Sequence, residues 1–187
     1  MARKRELRPA RKMKPVILVL CEGESEERYV EMLRRHYRLP IKIVSKVVGQ
    51  KINQRLVSRI QNEMKLNASE RVSCFLMYDA DVPVVVENIR SCKNAAALLS
   101  RPCLEVWFLA HSKPVPAMDI STTDCLDRLK ALPAWENYRK GFLSDKQEDA
   151  LWQNRHAAAK NIPYEPSEDS AFSTVGGFIE TLENIKT

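Results

Sequence analysis

Residues 16–29, VILVLCEGESEERY, and residues 74–81, CFLMYDAD, decide the fold class. Each stretch begins as a continuous apolar run of strand length, which is typical of a strand buried on both faces of a parallel sheet. Each run ends in carboxylates, at Glu22 in the first stretch and at Asp79 and Asp81 in the second. Because parallel strands align their carboxyl ends, these side chains are predicted to face one crevice at the sheet edge.

Strand and helix patterns alternate on both sides of these stretches. Strands are predicted at residues 16–20, 41–48, 72–78 and 95–99, with helices capped at Ser25 and at residues 52–66, 83–92 and 103–111. This alternation predicts an α/β fold with a small, mainly parallel sheet flanked by helices. After Ser112 we expect no further strand, only a helical C-terminal part, about 112–187, with helices at residues 121–132 and 144–160 and after Ser173 or Thr174. Residues 15–187 are predicted to form a single domain.

The first 14 residues are predicted to form a flexible basic arm. They hold all of the chain's net charge of +6, while residues 15–187 carry 23 basic and 23 acidic residues. Such an arm is either a contact for nucleic-acid phosphates or a solvated tail, and no aromatic residue is interleaved for base stacking. The cations concerned are Arg3, Lys4, Arg5, Arg8, Arg11, Lys12 and Lys14.

Composition argues against several classes of protein. No apolar run approaches the roughly 20 residues that span a membrane, and the N-terminal residues lack the apolar stretch of a signal peptide. We therefore expect a cytoplasmic protein with no membrane partner. The five cysteines are scattered without a CxxC pair, which indicates neither a disulfide framework nor a zinc site. Cys21 adjoins the acidic stretch, but no base beside it in sequence favours a catalytic thiol.

The carboxylates at the strand ends are predicted to hold a metal. Several carboxylates in one crevice repel one another unless a hard cation neutralises them, and Mg²⁺ (or Mn²⁺) accepts such ligands while keeping positions open for phosphate oxygens. Asp81 is two residues after Asp79, so in an extended segment the two side chains point to the same side. Glu26 is four residues after Glu22, so its side chain points toward the same crevice if the helix begins early. The candidate metal ligands are Glu22, Glu26, Asp79 and Asp81, whereas Glu24 and Glu27 are interpreted as favourable charges at a helix N-terminus.

Glu105 lies in the apolar segment of residues 100–111, SRPCLEVWFLAH. Burial of an unpaired carboxylate is costly, so Glu105 is expected either to pair with a cation such as Arg101 or Lys140 or to reach the metal site. The first of these alternatives, a supporting role, is favoured. His111 falls six residues after Glu105, off its helical face, and is likewise expected to have a supporting role behind the metal ligands.

At these residues the chain resembles a known family. Residues 19–29, 77–81, 100–111 and 172–182, together with Tyr138 and Lys140, are similar in order to the RloB-like proteins. The resemblance implies a TOPRIM-like fold, with Glu22 as its glutamate and Asp79 and Asp81 as its DxD motif. Glu105 and His111 match the family's own motif. This chain has Arg101 and Leu104 where the family more often has Asn and Phe. The resemblance therefore leaves open which residues contact a substrate.

The resemblance also implies a role in bacterial restriction or phage defence, by abortive infection and often beside an ATPase partner. We therefore expect a Mg²⁺-dependent nuclease that acts on nucleic acid, DNA or RNA and possibly tRNA. Asp79 and Asp81 would hold the metal, Glu22 would be a further ligand or a general acid or base, and Lys140 would neutralise charge on the phosphate.

Two alternatives stay open. The first is a non-catalytic effector subunit that binds metal, nucleotide or nucleic acid and acts only with its partner. The second is a nucleotidyl transferase such as a primase, for which the sequence offers no recognisable nucleotide-binding surface.

Overall fold

The computed structural model describes residues 14–39, 42–64 and 70–186. The strands are β1 (Lys14–Cys21), β2 (Lys42–Val47), β3 (Glu70–Asp79), β4 (Ala95–Arg101) and β5 (Phe172–Ser173). The helices are α1 (Glu24–Tyr37), α2 (Gln54–Glu63), α3 (Pro83–Ser91), α4 (Glu105–Ala110), α5 (Thr122–Lys130), α6 (Asp145–Asn161) and α7 (Gly176–Lys186).

The strands form one sheet in the order β2-β1-β3-β4-β5. The first four strands are parallel, and β5 runs antiparallel to β4. This arrangement confirms the predicted α/β fold with a mainly parallel sheet flanked by helices, and it is consistent with a TOPRIM-like fold. The expectation that no strand follows Ser112 is wrong, because Phe172 and Ser173 pair with Arg101 and Ser100. Two residues are too few to show the alternation by which a strand is recognised.

The central strand β1 contributes to two separate apolar cores because its side chains alternate between the sheet's faces. Ile17 and Val19 pack into the larger core with α1 and α4–α7. Leu18 and Leu20 pack into the smaller core with α2 and α3. All four side chains are at most 1% exposed, which explains why this strand reads as a continuous apolar run.

Helix α4 is buried within the larger core along its whole length. Trp107 is fully buried, and its Nε1–H donates a hydrogen bond of 2.8 Å to the hydroxyl oxygen of Tyr29 on α1. This bond satisfies the one polar atom of the indole and joins α4 to the helix that follows β1. The start of α4 is thereby held close to the carboxyl ends of β1 and β3.

The predicted basic arm lies outside the described residues except for Lys14, which is the first residue of β1 rather than part of the arm. Across residues 14–39, 42–64 and 70–186, none of the helices has the length and apolar character needed to cross a bilayer.

Candidate active site

Glu22 and Asp79 lie side by side where β1 and β3 end. The Glu22 N–H donates to the carbonyl oxygen of Met77 at 3.1 Å, which extends the β1–β3 ladder by one residue. One carboxylate oxygen of Glu22 accepts from the Asp79 N–H at 3.1 Å, and the other accepts from Nε2 of Gln50 at 2.8 Å. The predicted convergence of these two strand ends is confirmed.

Asp79 is held against the start of α4. Its Oδ1 accepts a hydrogen bond of 2.8 Å from the N–H of Leu104. Burial, together with the nearby carboxyl groups of Glu26, Glu105 and Glu22, raises the pKa of Asp79 to about 9, although the ammonium group of Lys140 acts in the opposite direction. Without a metal ion beside it, the Asp79 carboxyl group therefore carries a proton at neutral pH.

Glu26 belongs to the same cluster and also caps a helix. It lies in the first turn of α1, is 5% exposed, and accepts a hydrogen bond of 2.8 Å through Oε2 from the N–H of Gly23. Burial raises the pKa of Glu26, and the charges of Glu105 and Glu22 add to that effect. The N-cap is Gly23 and not Ser25 as predicted, because the helix begins two residues earlier and puts Ser25 inside its first turn.

Glu105 is the most deeply buried carboxylate of the cluster, at 1% exposure. Its Oε1 accepts a hydrogen bond of 2.8 Å from the hydroxyl of Tyr138, and its Oε2 lies 3.6 Å from Nζ of Lys140. The expected cation partner of Glu105 is thus Lys140, whereas Arg101 lies 3.8 Å from Asp119. Burial lowers the pKa of Lys140, but the surrounding carboxylates, Glu105 first, outweigh burial and raise it.

Lys140 reaches the cluster on a tight turn. The N–H of Phe142 donates to the carbonyl oxygen of Arg139 at 3.2 Å, and Gly141 has a φ of 77°, as the third position of a type II turn requires. The Gly141 N–H donates to Oγ of Ser25 at 3.0 Å, which fixes the turn on the start of α1. A Cβ atom at Gly141 would lie 2.7 Å from Oε2 of Glu24, so only glycine fits here without displacement.

These side chains surround a cavity of about 290 Å³ at the carboxyl edge of the sheet. Glu22, Glu26 and Asp79 line it together with Lys140, and so does Glu24, which the sequence assigned only to the helix N-terminus. Asp81 is exposed, does not line this cavity, and makes no hydrogen bond or ion pair with any described residue. The structure therefore brings together three of the four predicted metal ligands, and the role of Asp81 stays a prediction.

His111 lies at the other end of α4 and does not line the cavity. Its Nδ1 is 2.8 Å from the carbonyl oxygen of Trp107, so Nδ1 carries the proton in this hydrogen bond. Its Nε2 is buried without a hydrogen-bond partner among the described residues. Burial lowers the pKa of His111 to about 4 and keeps the ring neutral at physiological pH.

The donor chemistry of the cavity fits a hard divalent cation. Carboxylate oxygens are the ligands that Mg²⁺ and Mn²⁺ accept, and a cation would stabilise the ionised forms of Asp79 and Glu26, whose pKa values are raised. Among the described residues, no three histidine, cysteine, aspartate or glutamate side chains are grouped so that they could hold one metal ion. Cys21 contributes no thiolate, since burial raises its pKa well above the usual range.

A family model described as RloB-like protein matches residues 17–182. The chain belongs to this family. The match runs from β1 to α7 and so includes every residue that lines the acidic cavity. No curated protein and no solved structure matches the chain.

Sequence reasoning on this RloB-like protein missed three features that build the site. Gln50, which binds Glu22, lies in a loop with no pattern that points to a site. Ser25 resembles an ordinary cap, yet it binds the turn that carries Lys140. The third feature, Gly141, had a detectable signal, because a glycine in a segment between two predicted helices is typical of a turn.

Proposed function

We propose that this RloB-like protein is a divalent-metal-dependent nuclease that hydrolyses phosphodiester bonds in DNA or RNA. The observation that carries the proposal is the cavity of about 290 Å³ that Glu22, Glu26 and Asp79 line beside Lys140. Carboxyl groups in a cleft whose pKa values are raised by burial and by one another are common at functional sites.

The roles of the residues follow from their surroundings. Bound Mg²⁺ or Mn²⁺ would polarise a phosphoryl oxygen and lower the pKa of a water molecule. Asp79 and Glu26 would supply carboxylate oxygens to that cation, and Asp81 stays a candidate further ligand. Glu22 is partly exposed in the cavity, where it can act as a ligand or exchange a proton with water.

Lys140 is the electrostatic partner of the phosphate in this proposal. Its side chain is half exposed, and the neighbouring carboxylates raise its pKa, so it stays protonated at neutral pH. An ammonium group held beside the cleft can donate to a phosphate oxygen and stabilise negative charge that develops there. Glu105, which itself accepts a hydrogen bond from the hydroxyl of Tyr138, holds this side chain in position.

We further propose that the protein acts inside the bacterial cell in an anti-phage system of the abortive-infection type, with an ATPase partner. Membership of the RloB-like family supports this setting. A nuclease that is dangerous to its host gains from dependence on a partner.

The alternative is a non-catalytic effector subunit that binds metal or nucleic acid in complex with its partner. One observation favours it: within the described residues, the carboxylates do not form a group of three positioned as metal ligands. A site of that kind would depend on substrate or partner binding to become complete.

Incubation of the purified protein with plasmid DNA and with total tRNA, each with Mg²⁺, Mn²⁺ or EDTA, tests the proposal. We expect cleavage with a divalent metal, none with EDTA, and a loss of several orders of magnitude in the Asp79→Asn variant. Equal cleavage by the variant would refute the assignment of this site. If the protein cleaves only after addition of its ATPase partner, the enzyme is partner-dependent, and if it never cleaves, the effector alternative is correct.

A further inference from the structure

A second and larger cavity adjoins the acidic one. It encloses about 600 Å³ and is lined by the loop between α5 and α6 and by the first turn of α6. Lys140 lines both cavities, so the two form adjacent parts of one surface. A cavity of this size is in the range that holds a small organic ligand or a nucleotide unit.

The larger cavity is rich in positive charge. Arg139, Lys140 and Lys146 line it, against one carboxylate at Glu136. Arg139 and Lys146 are exposed and form no ion pair or side-chain hydrogen bond with any residue that the structure describes. Since residues 15–187 carry equal numbers of basic and acidic side chains, this local excess of unpaired cations is not a property of the surface as a whole. Unpaired cations beside a phosphodiester site are suited to backbone phosphates.

The same wall carries an exposed aromatic ring. Phe142 is 61% exposed and lines the larger cavity. The backbone that carries this ring is fixed, because the Phe142 N–H closes the turn with Arg139 and the neighbouring Gly141 is bonded to Ser25. An aromatic side chain held next to cations is the arrangement on which proteins stack the bases of single-stranded nucleic acid while binding its backbone.

The geometry points to a binding site for single-stranded nucleic acid in the larger cavity. We propose that one unpaired base stacks on Phe142 while flanking phosphates contact Arg139 and Lys146. The strand then continues past Lys140 into the acidic cavity. A duplex is excluded from this mode because its base faces are already stacked within the helix. The inference rests on the proposed nuclease function, to which it adds the strandedness of the substrate.

Fluorescence anisotropy with the full chain in EDTA tests the inference without any cleavage. The probes are labelled 12-nucleotide oligo-dT, oligo-U and a blunt duplex of the same length, which separate DNA from RNA and single from double strands. We expect a single strand to bind more tightly than the duplex, and Phe142→Ala to weaken single-strand binding by roughly 10-fold. Arg139→Gln and Lys146→Gln should each reduce the slope of log affinity against log salt by about 0.7.

Two variants are matched controls. Lys160→Gln removes an exposed cation at the far end of α6, about 21 Å along the helix axis from Lys146. Tyr164→Ala removes an aromatic ring that is 54% exposed and does not line the cavity. Both should bind the single strand as the parent does. Circular dichroism checks that each variant is folded, which is expected because the substituted side chains are exposed.

The inference is overturned if Phe142→Ala binds single strands as tightly as the parent, if the duplex binds more tightly, or if no probe binds. These outcomes are separate from a failure of the proposed function. Binding that depends on Phe142 without any cleavage in Mg²⁺ would support the cavity and refute the nuclease. Cleavage that depends on Asp79 without any contribution from Phe142 would support the nuclease and refute the cavity.

Discussion

Replacement of Asp79 by Asn should stabilise the metal-free protein, and the gain should grow with pH. Asn keeps the size of the side chain and an Oδ1 that can accept the hydrogen bond from Leu104. It removes a carboxyl group whose pKa is about 9 in the folded protein against an ordinary value of 3.8. Because the folded-state pKa is raised, the parent loses stability as pH rises from about 4 to about 9.

The magnitude follows from this difference in pKa. Each pKa unit corresponds to about 1.4 kcal/mol, so the cost of Asp79 between pH 4 and pH 8 is at most about 5 kcal/mol. Entry of water and relaxation of the neighbouring carboxyl groups reduce this, and we expect a gain of roughly 3 kcal/mol for the variant at pH 8. For a domain of this size, that gain raises the melting temperature by about 6–12 °C.

The assay is thermal and urea unfolding of parent and variant from pH 4 to pH 9 in EDTA, repeated in Mg²⁺. The two proteins should be equally stable near pH 4, and Mg²⁺ should raise the melting temperature of the parent alone. Asp169→Asn, which removes one exposed carboxylate outside the cluster, is the control for net charge. A variant that is less stable than the parent at pH 8, or a difference that does not change with pH, would refute the reasoning.

Three further predictions concern other parts of the site. Burial lowers the pKa of His111 to about 4, so its contribution to stability is complete above pH 6.5 and lost toward pH 4. In urea titrations, the free energy of unfolding of the parent should fall by up to about 3 kcal/mol between pH 6.5 and pH 4, and that of His111→Gln should not show this fall. Identical pH profiles for the two proteins would contradict this. Gly141→Ala should lower the free energy of unfolding by about 2–3 kcal/mol, and Gly49→Ala, with a similar φ but open space, by about 1 kcal/mol. Equal losses would contradict this and would show that the Glu24 side chain moves aside at no cost. A double-mutant cycle of Lys140→Met and Glu105→Gln should give a coupling energy of about 1–2 kcal/mol in urea unfolding, whereas additive effects would rule out the ion pair.

Local sequence patterns predicted most of the fold. The apolar run at residues 16–20 identified β1, because a strand buried on both faces has no polar position. The carboxylates at Glu22 and Asp79 predicted the edge at which the site lies, since parallel strands end together. The short strand β5 could not be predicted, because its identity depends on pairing with β4 and not on its own two residues.

Only those parts of the site that depend on a local stretch of sequence could be predicted. A cation partner for Glu105 followed from its apolar neighbours, and the structure confirms Lys140, one of the two candidates. The contact between Ser25 and the Gly141 N–H joins residues 116 positions apart, and no local pattern carries that information. The exposed state of Asp81 likewise depends on where the chain turns after β3.

The pairing of β5 with β4 has a consequence for the timing of folding. The hydroxyls of Ser100 and Ser173 lie 2.9 Å apart although 73 positions separate them in the chain, and Thr174 Oγ1 accepts from the Leu99 N–H at 2.8 Å. Contacts of such long sequence separation form late and slow the folding of a domain. During synthesis, the edge of β4 therefore stays unpaired until the ribosome has released residue 174.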